Sequence, residues 1–160
     1  MKKKVIIAIV MIIGIIGSIF VYKEYKAITE FEAFNKQLDK EYNPLVLDMI
    51  DYFDVVSKHP LDLSDWYISE SGHTDKLKYE DKLRALREEI INTDVHYKDA
   101  SDLKRNALNT ISLLEDCLNT LDTLYSDDNM MYKILTKDME KVRKSLSERN
   151  EILSRYDMVK

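Results

Sequence analysis

Glycine and proline are scarce in this chain, and their scarcity limits the folds that it can adopt. Three glycines and two prolines occur in 160 residues, against about 11 and about 8 at average usage. Sandwiches, barrels and doubly wound sheets need many tight turns, which these two residues usually supply. A few long helices need far fewer turns, so the composition predicts an all-α fold.

The N-terminal residues predict a membrane helix. Three lysines at positions 2–4 precede an uncharged run over 5–21 that is rich in Ile and Val. As a helix this run is about 26 Å long, close to the ~30 Å hydrocarbon core of a bilayer. We therefore expect residues 1–4 to form a cytoplasmic tail and residues 5–22 a transmembrane signal-anchor helix. A cleaved secretory signal is the alternative, although the apolar run is longer than such signals carry and lacks an Ala-x-Ala site.

The distribution of charge predicts the orientation of this helix. Residues 1–23 contain four of the 24 basic residues and none of the 29 acidic ones, so residues 24–160 carry a net charge of −9, against −5 for the whole chain. Because basic flanks stay in the cytoplasm, we expect residues 23–160 to lie outside the membrane. An acidic domain does not attract nucleic acid. The charge is most simply interpreted as a solvated helical surface, and attraction of basic partners or cations is the alternative.

A second signal within the predicted span concerns self-association. Gly14 and Ser18 form a small-xxx-small pair, which lets two membrane helices approach closely. Small residues are also common in membrane helices that do not dimerise. A homodimer through this face is therefore one of two interpretations.

Beyond residue 22, apolar residues recur every three or four positions, which is typical of amphipathic helices. Asn43 and Pro44 suit a helix N-cap and first helical position, so we expect one helix to end near Tyr42 and another to begin there. The region 75–125 permits one long helix or two helices with a turn near 92–101, and the turn is favoured. The apolar stripes predict the core: residues 28, 31, 34 and 38; 46, 49, 50, 53 and 56; 79, 83, 86 and 90; 107, 111, 114, 118, 121 and 125; and 134, 135, 139, 142, 146, 153 and 156.

These stripes must bury one another, which predicts an antiparallel helical bundle with coiled-coil-like packing over 23–160. Residues 59–74 lack a clear period and form the predicted irregular segment, with Thr74 as the N-cap of the helix that follows. Four basic residues lie off the last stripe and should face water: Lys141, Arg143, Lys144 and Arg149.

No motif for catalysis, metal binding or cofactor binding occurs. Cys117 is the single cysteine, and its place beside an apolar stripe predicts a buried, inert thiol. No two of the three histidines lie at helical spacing from each other, and no His-Glu-x-x-His motif occurs. Asp48, Asp51 and Asp54 lie off the apolar stripe, so we interpret them as a solvated face rather than a metal cluster. We expect no enzymatic activity, no metal and no cofactor.

The irregular segment contains the candidate site. Trp66 and Tyr67 include the single Trp of the chain, and aromatic residues on such a segment often anchor a partner. His73, beside Gly72, is a weaker candidate for the same surface. The alternative is that Trp66 folds back and covers one end of the bundle.

The overall plan resembles small membrane-anchored helical envelope proteins of low-GC bacteria, and the abundance of Lys, Ile, Asn and Tyr agrees with that source. The sequence therefore predicts a protein-interaction module of the bacterial cell envelope: a scaffold, an accessory subunit or an immunity-type inhibitor. The expected partner is another envelope protein or a second copy of the chain. A ligand-sensing ectodomain that signals through a partner is the alternative.

Overall fold

A computed structural model describes the backbone of residues 2–56, 58–59, 63–68, 70–122 and 128–159. It describes side chains within 17–55, 58–59, 63, 65–67, 72–122 and 129–156. Over these ranges the chain forms five helices and no strand, which confirms the predicted all-α fold. The helices are α1 (Lys2–Val56), α2 (Leu63–Ile68), α3 (Glu70–Asn92), α4 (Lys98–Asp122) and α5 (Asp128–Val159).

The long helices pack side by side as a bundle. Asn106 of α4 donates to the carbonyl of Ser145 at 2.9 Å, and Thr120 lies 3.4 Å from Asp138, so α4 and α5 run antiparallel. Helices α3 and α4 also run antiparallel, because Lys76 pairs with Asp122 and Lys104 with the carbonyl of Ile91.

The core consists mainly of the predicted apolar stripes. Phe31, Leu38, Met49, Ile90 and Leu114 are each at most 2% exposed. Of the stripe residues, 56 and 125 lie outside the described side chains, and 28, 50, 79, 134, 146, 153 and 156 are only partly buried. Periodicity therefore identified the buried faces of α1, α3, α4 and α5.

The predicted helix boundary at Asn43 and Pro44 is wrong, because α1 continues through Pro44 to Val56. A proline within a helix costs about 3 kcal/mol. Fully burying a large apolar side chain contributes about 1.5–3 kcal/mol, and several such side chains flank Pro44 on one continuous face. Their combined burial outweighs the cost of the proline: Tyr42, Leu45, Val46 and Met49.

The predicted irregular segment 59–74 is also corrected. Leu63–Ile68 form α2, and α3 begins at Glu70, four residues before the expected N-cap Thr74. Leu63 is fully buried, so the start of α2 is anchored in the core. Residues 57, 60–62 and 69 lie outside the described backbone.

The favoured turn near 92–101 is confirmed, since α3 ends at Asn92 and α4 begins at Lys98. Glu30 of α1 binds this turn: its Oε1 accepts from the backbone N–H groups of His96 at 2.7 Å and Tyr97 at 2.8 Å. Partial burial alone would raise the pKa of Glu30, but these N–H groups and the His96 imidazole outweigh it and lower the pKa. A carboxylate of α1 therefore caps the N-terminus of α4.

The N-terminal part of α1 extends away from the bundle. Every residue from Gly17 to Lys26 is exposed, with Phe20 at 71% and Tyr22 at 61%. Contacts with the bundle begin near Phe31, whose ring stacks on Tyr156 of α5 at 4.0 Å. Within the described part of the chain, no helix has the length and hydropathy that a membrane crossing requires. Most of the predicted span, residues 5–16, lies outside the described side chains.

Candidate interaction surface

Helix α2 lies against the first turn of α3, and Gly72 allows this close approach. A Cβ atom at Gly72 would lie 2.7 Å from the carbonyl oxygen of Trp66 and 3.0 Å from Cα of Tyr67. Both are backbone atoms, so only a shift of α2 could relieve the contact. Tyr52 of α1 donates to the carbonyl of Gly72 at 3.1 Å, which ties the same turn to α1.

Replacing Gly72 with Ala should lower the free energy of unfolding. Overpacking costs about 1–3 kcal/mol, while the higher helix propensity of Ala returns at most ~1 kcal/mol. We expect a net loss of about 1–2 kcal/mol in a denaturant melt, with a changed emission of Trp66. Thr74→Ala, at an exposed position of the same helix, is the control. A Gly72→Ala protein that is as stable as the wild type and has unchanged emission would show that α2 does not pack this closely.

Tyr67 and His73 meet at a polar network that joins α2, α3 and α4. The Tyr67 hydroxyl donates to Oδ1 of Asp122, the last residue of α4, and lies 3.2 Å from Nδ1 of His73. Because the single hydroxyl proton points to Asp122, His73 Nδ1 must be the donor in its contact with Tyr67. Lys76 donates to Oδ2 of Asp122 and pairs with Glu80 at 2.6 Å.

The charges of this network stabilise one another. Lys76 is only 3% exposed, and burial alone would lower its pKa. The Asp122 and Glu80 carboxylates outweigh that effect and raise the pKa of Lys76. Partial burial would raise the pKa of Asp122, but the hydrogen bonds from Lys76 and Tyr67 lower it. Both groups are therefore charged at neutral pH, and α2 is held in one position.

Trp66 turns the other way, toward an aromatic cluster. Its ring lies 5.8 Å from the ring of Tyr52 and stacks on His59 at 5.6 Å, with an interplanar angle of 18°. Tyr52 in turn lies 5.1 Å from Tyr79 of α3. Trp66 is half-buried and packs against the core, so it covers part of this end of the bundle and also presents a face to solvent.

The structure thus brings two of the three candidate residues into contact. Tyr67 and His73 touch, with Tyr67 half-buried and His73 exposed, while Trp66 lies on the neighbouring face of the same short helix. Of the predicted membrane pair, Ser18 is exposed on α1 and Gly14 lies outside the described side chains. The Asp122 and Lys76 partners were not expected from the sequence, since they belong to different helices and follow no local motif.

Arg149 corrects another prediction, because it does not face water. It is 7% exposed, and its guanidinium donates to Asn43 and, at 3.2 Å, to Asn35. It also lies 3.5 Å from Asp39 and 5.2 Å from the centroid of the Tyr42 ring. Position 149 lies three residues after Leu146 and four before Leu153, so it belongs to the buried face of α5. Hydrogen bonds and a π-face on α1 satisfy the charge that is buried there.

A buried polar layer between α4 and α5 was likewise missed. The hydroxyls of Thr110 and Ser145 lie 2.8 Å apart, and Asn109 donates to Ser145 Oγ at 3.0 Å. The sequence did contain a signal for this layer, because these short polar residues follow the same spacing as the apolar core residues.

Among the described residues, three buried side-chain polar atoms have no hydrogen-bond partner: Tyr42 Oη, Asn106 Oδ1 and Arg149 Nε.

Cys117 and three aspartates of α1 are the remaining residues that the sequence singled out. Cys117 is fully buried beside Met139, and burial raises the pKa of its thiol to about 12. Asp48, Asp51 and Asp54 are exposed. No group of three or more His, Cys, Asp or Glu within the described ranges is arranged to hold a metal ion.

Comparisons of the chain with protein-family models, with curated proteins and with solved structures gave no match.

Proposed function

We propose that this protein is a membrane-anchored interaction module of the bacterial cell envelope, which binds another protein through the surface of α2. In this proposal residues 5–22 span the membrane, residues 1–4 lie in the cytoplasm, and the bundle lies outside. The partner is an envelope protein, and the chain serves as a scaffold, an accessory subunit or an immunity-type inhibitor.

The exposed N-terminal part of α1 supports the anchor. Ile19, Phe20, Val21 and Tyr22 are between 51% and 71% exposed, and a Cβ at Gly17 would meet nothing within 4 Å. Apolar side chains on all sides of a helix call for an apolar environment. The uncharged run over 5–21 and the preceding lysines agree with a bilayer as that environment.

The position of Trp66 and Tyr67 carries the interaction part of the proposal. These two aromatic residues share a six-residue helix that contacts α1, α3 and α4 through rings and hydrogen bonds. A rigid, half-buried aromatic pair loses little conformational entropy on binding and is typical of binding hot spots. Tyr52, beside Trp66, lies 30 residues beyond Tyr22 on α1, so in this proposal the surface stands at most about 45 Å from the bilayer along the helix axis.

Extraction of native membranes with alkaline carbonate tests the anchor. The full-length protein should stay in the pellet with its N-terminal residues intact by mass spectrometry. A variant with Ile9→Lys and Ile13→Lys should be released, since each charge near the centre of a span costs about 2.5–3.5 kcal/mol. Release of the wild-type protein, or an N-terminus beyond residue 22, would overturn the anchor.

Partner capture tests the interaction surface. Trp66→Ala with Tyr67→Ala should recover less of the partner from crosslinked native membranes than the wild type does. Truncation of an interface hot spot costs about 2 kcal/mol or more, so we expect at least a tenfold loss, with helicity checked by circular dichroism. Leu47→Ala, at an exposed site elsewhere on α1, is the control. Equal capture by the double variant and the wild type would contradict the proposed surface.

A further inference from the structure

A groove beside Trp66 combines aromatic and acidic side chains. It has a volume of about 350 Å³ and lies where α1, α2 and α3 meet. Tyr52, Trp66 and Tyr79 line it, with ring centroids 5.8 Å apart for Tyr52 and Trp66 and 5.1 Å apart for Tyr52 and Tyr79. We call it the acidic groove because three aspartates also line it.

Carboxylates complete the lining of the acidic groove. Asp48 and Asp51 of α1 and Asp75 of α3 line it, and all three are exposed. No lysine or arginine is among its described lining residues. Lys82 lies 5.7 Å from the Tyr79 ring and, together with Asp48, lines the neighbouring groove beside Pro44 and Leu86.

The lining produces a negative potential at its aromatic walls. Burial, followed by the charges of Asp48, Asp75 and Asp51, raises the pKa of the Tyr79 phenol. The same potential that opposes a phenolate favours a cation in this place. A neutral or anionic group would gain no attraction from the three carboxylates.

We propose that the acidic groove binds an arginine side chain presented by the partner protein. A guanidinium is planar, so it stacks on aromatic faces and pairs with carboxylates at the same time. The groove offers both kinds of contact together, and its charge is complementary to such an occupant. The inference rests on the proposed function, because it states what the partner places beside Trp66.

Titration of the full-length protein in neutral detergent with N-acetyl-arginine amide tests this inference. Trp66 is the single Trp, so its fluorescence reports on the groove alone when tyrosine is not excited. N-acetyl-citrulline amide has nearly the same shape without the charge and is the matched probe. We expect a saturable response to the arginine probe and an affinity at least tenfold lower for the citrulline probe, roughly the effect of one desolvated cation–π contact with ion pairing.

A charge variant locates the response. Asp48→Asn, Asp51→Asn and Asp75→Asn together should weaken binding of the arginine probe about tenfold or more. Glu88→Gln, Asp116→Asn and Glu140→Gln remove the same charge from other exposed positions and should leave binding within about twofold. If circular dichroism shows that the groove variant does not fold, the affinities of the wild type for the two probes decide whether the groove selects arginine.

The outcomes separate this inference from the proposed function. Equal responses to the two probes, or no saturable response to the arginine probe, would overturn the arginine site while partner capture through Trp66 and Tyr67 still stood. Loss of binding in both charge variants alike would also overturn it, since the attraction would then be a general effect of net charge. Binding of the arginine probe with capture that is insensitive to Trp66 and Tyr67 would instead overturn the proposed surface.

Discussion

Replacement of Leu118 by Ala should lower the free energy of unfolding by about 2–5 kcal/mol. Leu118 is fully buried on α4, in line with Ile111 and Leu114, which are also fully buried. Its truncation removes apolar contacts and leaves a cavity that helices packed on both sides cannot fill. Urea denaturation of the full-length protein in neutral detergent, followed by circular dichroism, measures the change.

Leu47→Ala is the matched control for this substitution, because Leu47 is 62% exposed on α1. The same deletion at that site should change stability by at most about 0.5 kcal/mol. If the two variants unfold at the same denaturant concentration, Leu118 is not part of the core.

Replacement of Arg149 by Ala should cost about 2–3 kcal/mol, the value of hydrogen bonds made by a buried charged group. The guanidinium joins α5 to Asn35 and Asn43 of α1 and covers the Tyr42 ring. Its removal leaves the Oδ1 atoms of these two amides without their donor and opens a gap between the two helices. Arg149→Met should cost less, because the methionine keeps the packing of the arginine stem.

Arg143→Ala provides the comparison for Arg149, since Arg143 is exposed on the same helix. We expect it to change stability by no more than about 0.5 kcal/mol. An Arg149→Ala protein as stable as Arg143→Ala would mean that residue 149 faces water, as the charge of an arginine suggests.

Fold class and core were predictable because the spacing of the apolar residues identifies the side of each helix that is buried. The residues at positions 107, 111, 114, 118 and 121 repeat at spacings of three and four, and all are fully or almost fully buried. The turn between α3 and α4 was predictable as well, since Asn, Thr and Asp over 92–94 are poor helix formers. Each of these features depends on residues that are close together in the sequence.

The missed features depend on residues that are distant in the sequence. The local preferences of Asn43 and Pro44 predict a helix end there, but burial of the flanking side chains against other helices stabilises a continuous α1. The spacing of Arg149 from Leu146 and Leu153 places it on the buried face of α5, but its hydrogen-bond partners Asn35 and Asn43 lie more than 100 positions away. Gly72 similarly lacks a local signature, because its role is the close approach to the backbone of Trp66. A single sequence does not record such contacts.

The candidate site was predictable in part. Trp66, Tyr67 and His73 were identified as an unusual group of residues, and the structure places Tyr67 against His73. The acidic groove could not be predicted, because its carboxylates lie on α1 and α3 while Trp66 lies on α2. Only the fold shows that the aspartates of the solvated face border an aromatic wall.

Site-specific photo-crosslinking in native membranes tests whether the surface around Trp66 binds an envelope protein. A photoreactive amino acid replaces Val55, which is 41% exposed and lines the acidic groove. The same amino acid at Lys144, exposed on α5, is the control. Binding of the partner at this surface predicts an adduct with one envelope protein from position 55 that is absent from position 144 and is lost in Trp66→Ala. The same adducts from both positions, or none from position 55, would contradict it.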